Sequence, residues 1–416
     1  RMIVEREREI EAFVAQEYWS IEADMSHDGQ PFESRLVRLE NERLKQFDIT
    51  TAEHAHRVRD RLSKAAAGKL MVNRVKRSQR KRRPAPPFIT STLQQDASRK
   101  LRFTAQRTMR TAQGLYEGVE INGVSQGLIT YMRTDSVHLS NDALADMRAQ
   151  IKDRYGNEFL PEKPNFYKTK SKNAQEAHEA IRPTSAALTP DQVKSKLSED
   201  QFRLYELIWK RSMASQMTPA LVDTVQVEFD CDSDAAFRAN GSVIAFPGFL
   251  RAYEESQPRG KEEKENRLPD MNEGDMVSLK EIRAEQHFTE PPPRFSEASL
   301  VKALEDYGIG RPSTYASIIQ TLVRRKYVDL DRRRFIPTDT GRVVARFLEL
   351  HFEPYVDYEF TARMEDTLDE ISRGEMHWIP PLMQFWKPFI RRIKDKEETV
   401  SRQEAKLTRI LGTDPK

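Results

Sequence analysis

The sequence has a single cysteine, Cys231, so it can form no intrachain disulfide and no zinc ribbon built on Cys-x-x-Cys pairs. No stretch approaches the ~20 consecutive apolar residues that a bilayer-spanning helix needs, and the N-terminus lacks the charged, apolar and small-residue succession of a signal peptide. The expectation is a soluble intracellular protein with no membrane partner. A Gly-x-x-x-x-Gly-Lys-Ser/Thr loop is also missing, which removes the usual cradle for a nucleotide's phosphates. Charge of one sign is scarce: 68 Lys and Arg stand against 65 Asp and Glu, so bulk charge singles out no partner.

What is present suffices for globular cores. The 416 residues are 38% hydrophobic, include 20 Phe and have a mean hydropathy of -0.73. Such a length suits roughly two to four domains. Arg1 to Ile10 starts inside a helical pattern, with Ile3, Ile10 and Phe13 near one face and no capping residue ahead, so the chain reads as cut from a longer one.

Tyr18 to Ala23 alternates as a half-buried strand does, and Thr50 to Val72 reads as a helix with Val58, Leu62, Ala66 and Leu70 at four-residue spacing. Arg74 to Arg83 then holds seven basic residues and no acidic one, which reads as a solvated linker before Pro84-Ala85-Pro86-Pro87. From Phe88 to about Gln216 the pattern is helical: Thr90 or Ser91 can cap a helix through Leu101, and Thr104 to Tyr116 and Asn141 to Tyr155 repeat the pattern. From Leu221 to Leu279 the period returns to two. Strands flanking helices suggest a β-rich domain into which a helical domain is inserted. From Phe295 the chain reads as a helix capped by Ser296, the turn Ile309-Gly310-Arg311-Pro312, a second helix capped by Ser313 and a hairpin over 327–336. That order resembles a winged helix, whose second helix start could hold a phosphate.

The segment from Gly127 to Ser136 contains Tyr131 and Arg133. If extended, it puts a phenol and a guanidinium on one face, because strand side chains repeat every second residue. A phenol with a pKa near ~10 is a poor nucleophile at neutral pH, and a neighbouring cation lowers the cost of its oxyanion. By spacing alone the pattern is weak, and a buried strand tyrosine beside a surface arginine is the better account of it. His178-Glu179-Ala180-Ile181-Arg182 looks like a zinc-binding His-Glu-x-x-His with arginine in place of the second histidine, so a metal is not expected there. On a helix His178 and Arg182 would share a face. Asp230 to Asp234 lacks the glycine and closing glutamate of a calcium loop and reads as a polar hairpin turn.

Several strings taken together resemble the bacterial type IA DNA topoisomerases I. They are Pro87 to Gln95, Gly127 to Ser136, Gln175 to Pro183, Pro293 to Ser317 and Asp357 to Ala362, and the resemblance runs from Arg1 to about Ile393. It implies an α+β multidomain fold of toroidal gate architecture. Residues 16–87 and 217–285 would form a β-rich arch or hinge, 88–216 an inserted helical domain bearing the nucleophilic tyrosine, 1–15 and 286–395 part of a winged-helix-like DNA-binding domain, and 396–416 a tail. It also implies that Tyr131 cuts one DNA strand by joining its 5′ phosphate, that another strand passes and that the break is resealed without ATP, relaxing negative supercoils. By the same match Arg133 holds the scissile phosphate and His178 assists. Gln113 and Glu117 face the cleavage site, and Arg311, Ser313, Thr314 and Arg325 line a groove for single-stranded DNA. Such enzymes bind Mg2+ through an N-terminal Toprim domain that does not precede Arg1 here, so none is expected on this chain, and weak or absent relaxation is expected of it alone. The implied location is the bacterial cytoplasm, at the nucleoid. A non-enzymatic helix-turn-helix or winged-helix DNA-binding protein is the alternative, and a tyrosine recombinase with a 3′ linkage a third.

Overall fold

A computed structural model describes residues 1–121, 123–168, 179–253 and 266–401. They form two compact units: residues 13–84 with 218–291, and residues 1–12, 85–217 and 292–416. The segments expected as an inserted helical domain and as a winged-helix-like domain lie together in the second of these. Their shared core includes Ile3, Ala105, Leu300, Leu304, Tyr315, Ile319 and Phe335.

The first unit is a sheet of antiparallel strands. Glu17–His27 pairs with Met276–Phe288, which pairs with Lys69–Arg82, then Ala220–Asp232, Ala235–Phe246 and Gln30–Leu39. The last pairs back with Glu17–His27, closing a ring, and the short Glu42–Arg43 hangs from its edge. Period-two burial fills the interior: Ile21, Ala23 and Met25 from one strand meet Phe32 and Leu36 from the next and Val227, Phe229 and Cys231 from a third. The helix Ala52–Ala66 lays Ala55, Val58, Leu62 and Ala66 onto the same core, its start capped by Thr51 Oγ1, which accepts from His54 N at 3.3 Å.

Two expectations about this unit are corrected. The helix read to Val72 stops at Ala66, because Ala67 and Gly68 take left-handed φ values of 46° and 82°, and Leu70 and Val72 enter the core from a strand instead. The basic run is not a linker but most of the strand Lys69–Arg82, hydrogen-bonded along Ala220–Asp232. The turn between Asp232 and Ala235 is a polar hairpin, with Ser233 N donating to Asp232 Oδ1 at 2.7 Å.

In the second unit local capping decides many boundaries. Thr104 caps Ala105–Glu117, Ser140 caps Asn141–Tyr155, Ser198 caps Glu199–Ser215 and Ser296 caps Glu297–Asp306. The helix Thr90–Asp96 starts one residue earlier than its expected caps, at Ile89, whose N–H donates to Thr92 Oγ1 at 3.0 Å, which leaves Thr90 and Ser91 inside it and buried. Tyr315–Arg324 begins from Thr314 rather than Ser313. A hairpin of Val328–Asp331 and Arg334–Pro337 follows, then Asp339–His351, Tyr358–Ser372 and Ile379–Thr399. The last of these takes in the beginning of the expected tail, and residues 402–416 lie outside the described ones.

Candidate active site around Tyr131

The helix Ala105–Glu117 ends at Gly118, and a small hairpin, Val119–Ile121 with Val124–Gln126, carries the chain out and back. On return the chain runs tight against the helix end. Leu128 N donates to Leu115 O at 2.8 Å, and a Cβ at Gly127 would stand 2.5 Å from the Tyr116 carbonyl oxygen. Only glycine permits that approach.

Beyond this point the chain is not a strand of a sheet, contrary to the extended reading, but a loop fastened on both sides of Tyr131. On one side Thr130 N donates to Arg182 O at 2.9 Å, and Thr130 Oγ1 donates to Ala180 O at 2.6 Å and accepts from Arg182 N at 3.0 Å. On the other, the buried Thr90 Oγ1 donates to Met132 O at 2.7 Å and accepts from Thr134 N at 2.9 Å. Met132 and Thr134 are thereby held inside, and the residues alternating with them, Tyr131 and Arg133, face solvent; the Tyr131 side is 46% exposed. Their joint exposure therefore arises from two threonine anchors and not from strand alternation.

Glu179 to Pro183 is extended and bridges Phe88 and Ile129, so these described residues are not the helix read for them. Arg182 instead holds Glu179 at 2.6 Å, and Glu179 Oε1 accepts the N–H of Ser140 at 2.7 Å. Burial opposes ionisation of Glu179, yet Arg182 and Ser140 hold its carboxyl below the ordinary range. His178 lies outside the described residues.

Gln113 and Glu117 lie one turn apart on the exposed face of their helix, with Gln113 Nε2 donating to Glu117 Oε1 at 2.7 Å. Tyr116, on the same turn, meets the Tyr131 ring edge-on at 5.3 Å. Tyr116 and Thr130 were not singled out in the sequence, and Thr90 was read only as a helix start. Their signal was available only in part, as Tyr116 lies three residues from Gln113 on a helix, whereas the bond from Thr90 spans 42 residues.

The other expected DNA contacts divide. Arg311, Ser313 and Thr314 gather at the start of Tyr315–Arg324, while Arg325 is exposed at the opposite end, so the helix separates them by about 15 Å at 1.5 Å per residue. Ser313 is exposed, and Thr314 Oγ1 accepts from Arg311 N at 2.8 Å. The Arg311 guanidinium bonds to Asp369 at 2.8 Å, to Asp366 at 3.2 Å and to the carbonyls of Gly308 and Gly310. Against burial, which works the other way, Asp369 and its acidic neighbours raise the Arg311 pKa further.

Among the described residues no three His, Cys, Asp or Glu side chains gather to hold a metal ion, and no helix is long and apolar enough to cross a membrane.

A family model described as DNA topoisomerase matches residues 1–382. DNA topoisomerase 1 of Xylella fastidiosa (strain Temecula1) is 55% identical over the whole chain and 51% of its own length. DNA topoisomerase 1 of Rickettsia prowazekii is 48% identical over 99% of this chain and 52% of its length. The full-length topoisomerase I structure from Thermotoga maritima superposes with a TM-score of 0.79 at 35% identity, covering 94% of this chain and 61% of that one. The chain thus spans about half the length of the curated relatives it matches. It belongs to the bacterial type IA DNA topoisomerase I family.

Proposed function

We propose that this chain carries the strand-cleaving tyrosine of a type IA DNA topoisomerase, and that the tyrosine is Tyr131. The observation that supports it most is the outward exposure of Tyr131 and Arg133 on a loop held by Thr90 and Thr130. Tyr131 Oη attacks a phosphorus of single-stranded DNA. An O–P bond to the 5′ phosphate forms as the bond from phosphorus to the neighbouring 3′ oxygen breaks; the phenol loses its proton and the departing oxygen gains one. Attack by the 3′ hydroxyl reverses the step. One phosphodiester replaces another, so no nucleotide need be hydrolysed. Arg133 neutralises the charge gathering on phosphorus, and His178 assists there.

Gln113 and Glu117 flank the cleaved strand, and Ser313, Thr314 and Arg325 contact its backbone. Arg311, spent on Asp369 and two carbonyls, sets the turn that presents Ser313. The substrate is negatively supercoiled DNA in the bacterial cytoplasm, and the protein acts as a monomer. In the full-length protein Mg2+ would supply a further positive charge to the phosphate; the described residues of this chain, among which no three acidic, histidine or cysteine side chains gather, do not fit it. The matched span of the family model leaves the helix-turn-helix alternative unsupported.

The test is peptide mass spectrometry on the full-length protein after trapping with a single-stranded oligonucleotide. The expected adduct sits on Tyr131 through a 5′ phosphate. Cleavage that persists in Tyr131→Phe, or a 3′ linkage, overturns the assignment.

A further inference from the structure

The basic strand Lys69–Arg82 runs antiparallel to Ala220–Asp232, which runs antiparallel to Ala235–Phe246, and the three together present two different faces. Register places Lys76 beside Gln226 and Asn240, and Ser78 beside Thr224 and Ser242. These six residues line a shallow cavity of about 330 Å³. Arg74 extends the same face, next to Glu228.

The two faces treat their charge differently. On the opposite side Arg77 is neutralised by Asp270 at 2.7 Å, and Gln79 donates to Asp223 at 2.8 Å. On the cavity side Glu228 is taken by Arg238 at 2.6 Å. Lys76 and Arg74, both exposed, have no carboxylate within ion-pair distance among the described residues. Ser78 and Thr224 bond to each other at 2.8 Å, and Gln226 Nε2 donates to Asn240 Oδ1 at 3.1 Å, which keeps the Asn240 NH₂ available as a donor. The surface therefore offers two unneutralised cations and neutral donors. Among the described residues that line it there is no aromatic ring on which a base could stack.

We infer that this face, carried by the unit that does not contain Tyr131, is a second DNA-binding surface that grips the phosphodiester backbone of a strand without reading its sequence. Cations and donors without a stacking platform select phosphates over bases. That the nucleic acid is DNA rests on the function proposed above; the backbone chemistry rests on the face alone.

The experiment titrates the chain with single-stranded oligothymidine over a series of salt concentrations. Three proteins are compared: the wild type, Arg74→Gln with Lys76→Gln, and Arg57→Gln with Arg59→Gln, which removes the same charge from the exposed side of the helix Ala52–Ala66. At about 0.7 per phosphate contact, the slope of log affinity against log salt is expected to flatten by about 1.4 in the first variant only. Trapped adduct on Tyr131 in the full-length protein is expected to remain in both variants. An unchanged slope, or equal flattening in the two variants, overturns the second surface, and the persisting adduct then leaves the Tyr131 assignment standing. Loss of oligothymidine binding by the wild type with no adduct in the full-length protein overturns both.

Discussion

The rings of Tyr116 and Tyr131 meet edge-on, with centroids 5.3 Å apart and planes at 65°. Both side chains are substantially exposed, so the contact orients Tyr131 without sealing it. Edge-to-face aromatic pairs are worth ~0.5–1.5 kcal/mol beyond burial. Tyr116→Ala is expected to slow adduct formation by the full-length protein about three- to tenfold, and Tyr116→Phe to leave it nearly unchanged. Single-turnover trapping of the adduct measures both.

Thr90→Val removes a hydroxyl that both donates to Met132 O and accepts from Thr134 N, and leaves those buried backbone groups short of a partner. The expected loss is ~1–3 kcal/mol of unfolding free energy. Thr90→Ser, which keeps the hydroxyl, is expected to recover most of it. Urea denaturation of the chain followed by circular dichroism distinguishes the two.

Glu179 has a depressed carboxyl pKa in the folded protein. Its contribution is therefore present above the ordinary carboxylate range and is lost as pH falls through the folded value. Glu179→Gln is expected to be less stable than wild type at neutral pH, with the difference shrinking toward about pH 4 and below. Urea midpoints over that range measure it, and a constant gap would mean that the Arg182 pair does not titrate as described.

Glu297 behaves in the opposite sense. Burial raises its carboxyl pKa while it accepts the N–H of Ala105 at the start of the helix leading to Tyr116. A raised carboxyl favours folding below its unfolded pKa and loses that contribution as pH rises through the folded value. At neutral pH Glu297→Gln, still able to accept the bond without ionising, is expected to be at least as stable as wild type. Glu297→Ala strands the buried Ala105 N–H and is expected to cost ~1–3 kcal/mol. Thermal unfolding of the three proteins over a pH series is the check.

What the sequence disclosed follows how local each cause is. The starts at Thr104 and Ser296 were readable because a cap and the helix it serves lie within three residues. The strand Lys69–Arg82 was not, because its partner Ala220–Asp232 lies more than a hundred residues downstream and its exposed basic face does not alternate with apolar residues. Thr314 replaced Ser313 as the helix start because its hydroxyl closes the preceding turn through Arg311, a choice that composition does not express. Around Tyr131, alternation suggested a face shared with Arg133 while spacing favoured a buried tyrosine, so the exposure of Tyr131 on a loop was not read. Its cause, Thr90 reaching across 42 residues, was invisible to any local pattern.

Cys231 sits in the interior of the strand ring, with its thiol pushed up to about 12 by burial. At neutral pH it stays protonated and shielded, a silent background for maleimide chemistry. Cysteines introduced on the Lys76 face and beside Tyr131 could thus carry a donor and acceptor fluorophore in the otherwise native sequence, giving each of the two units its own reporter.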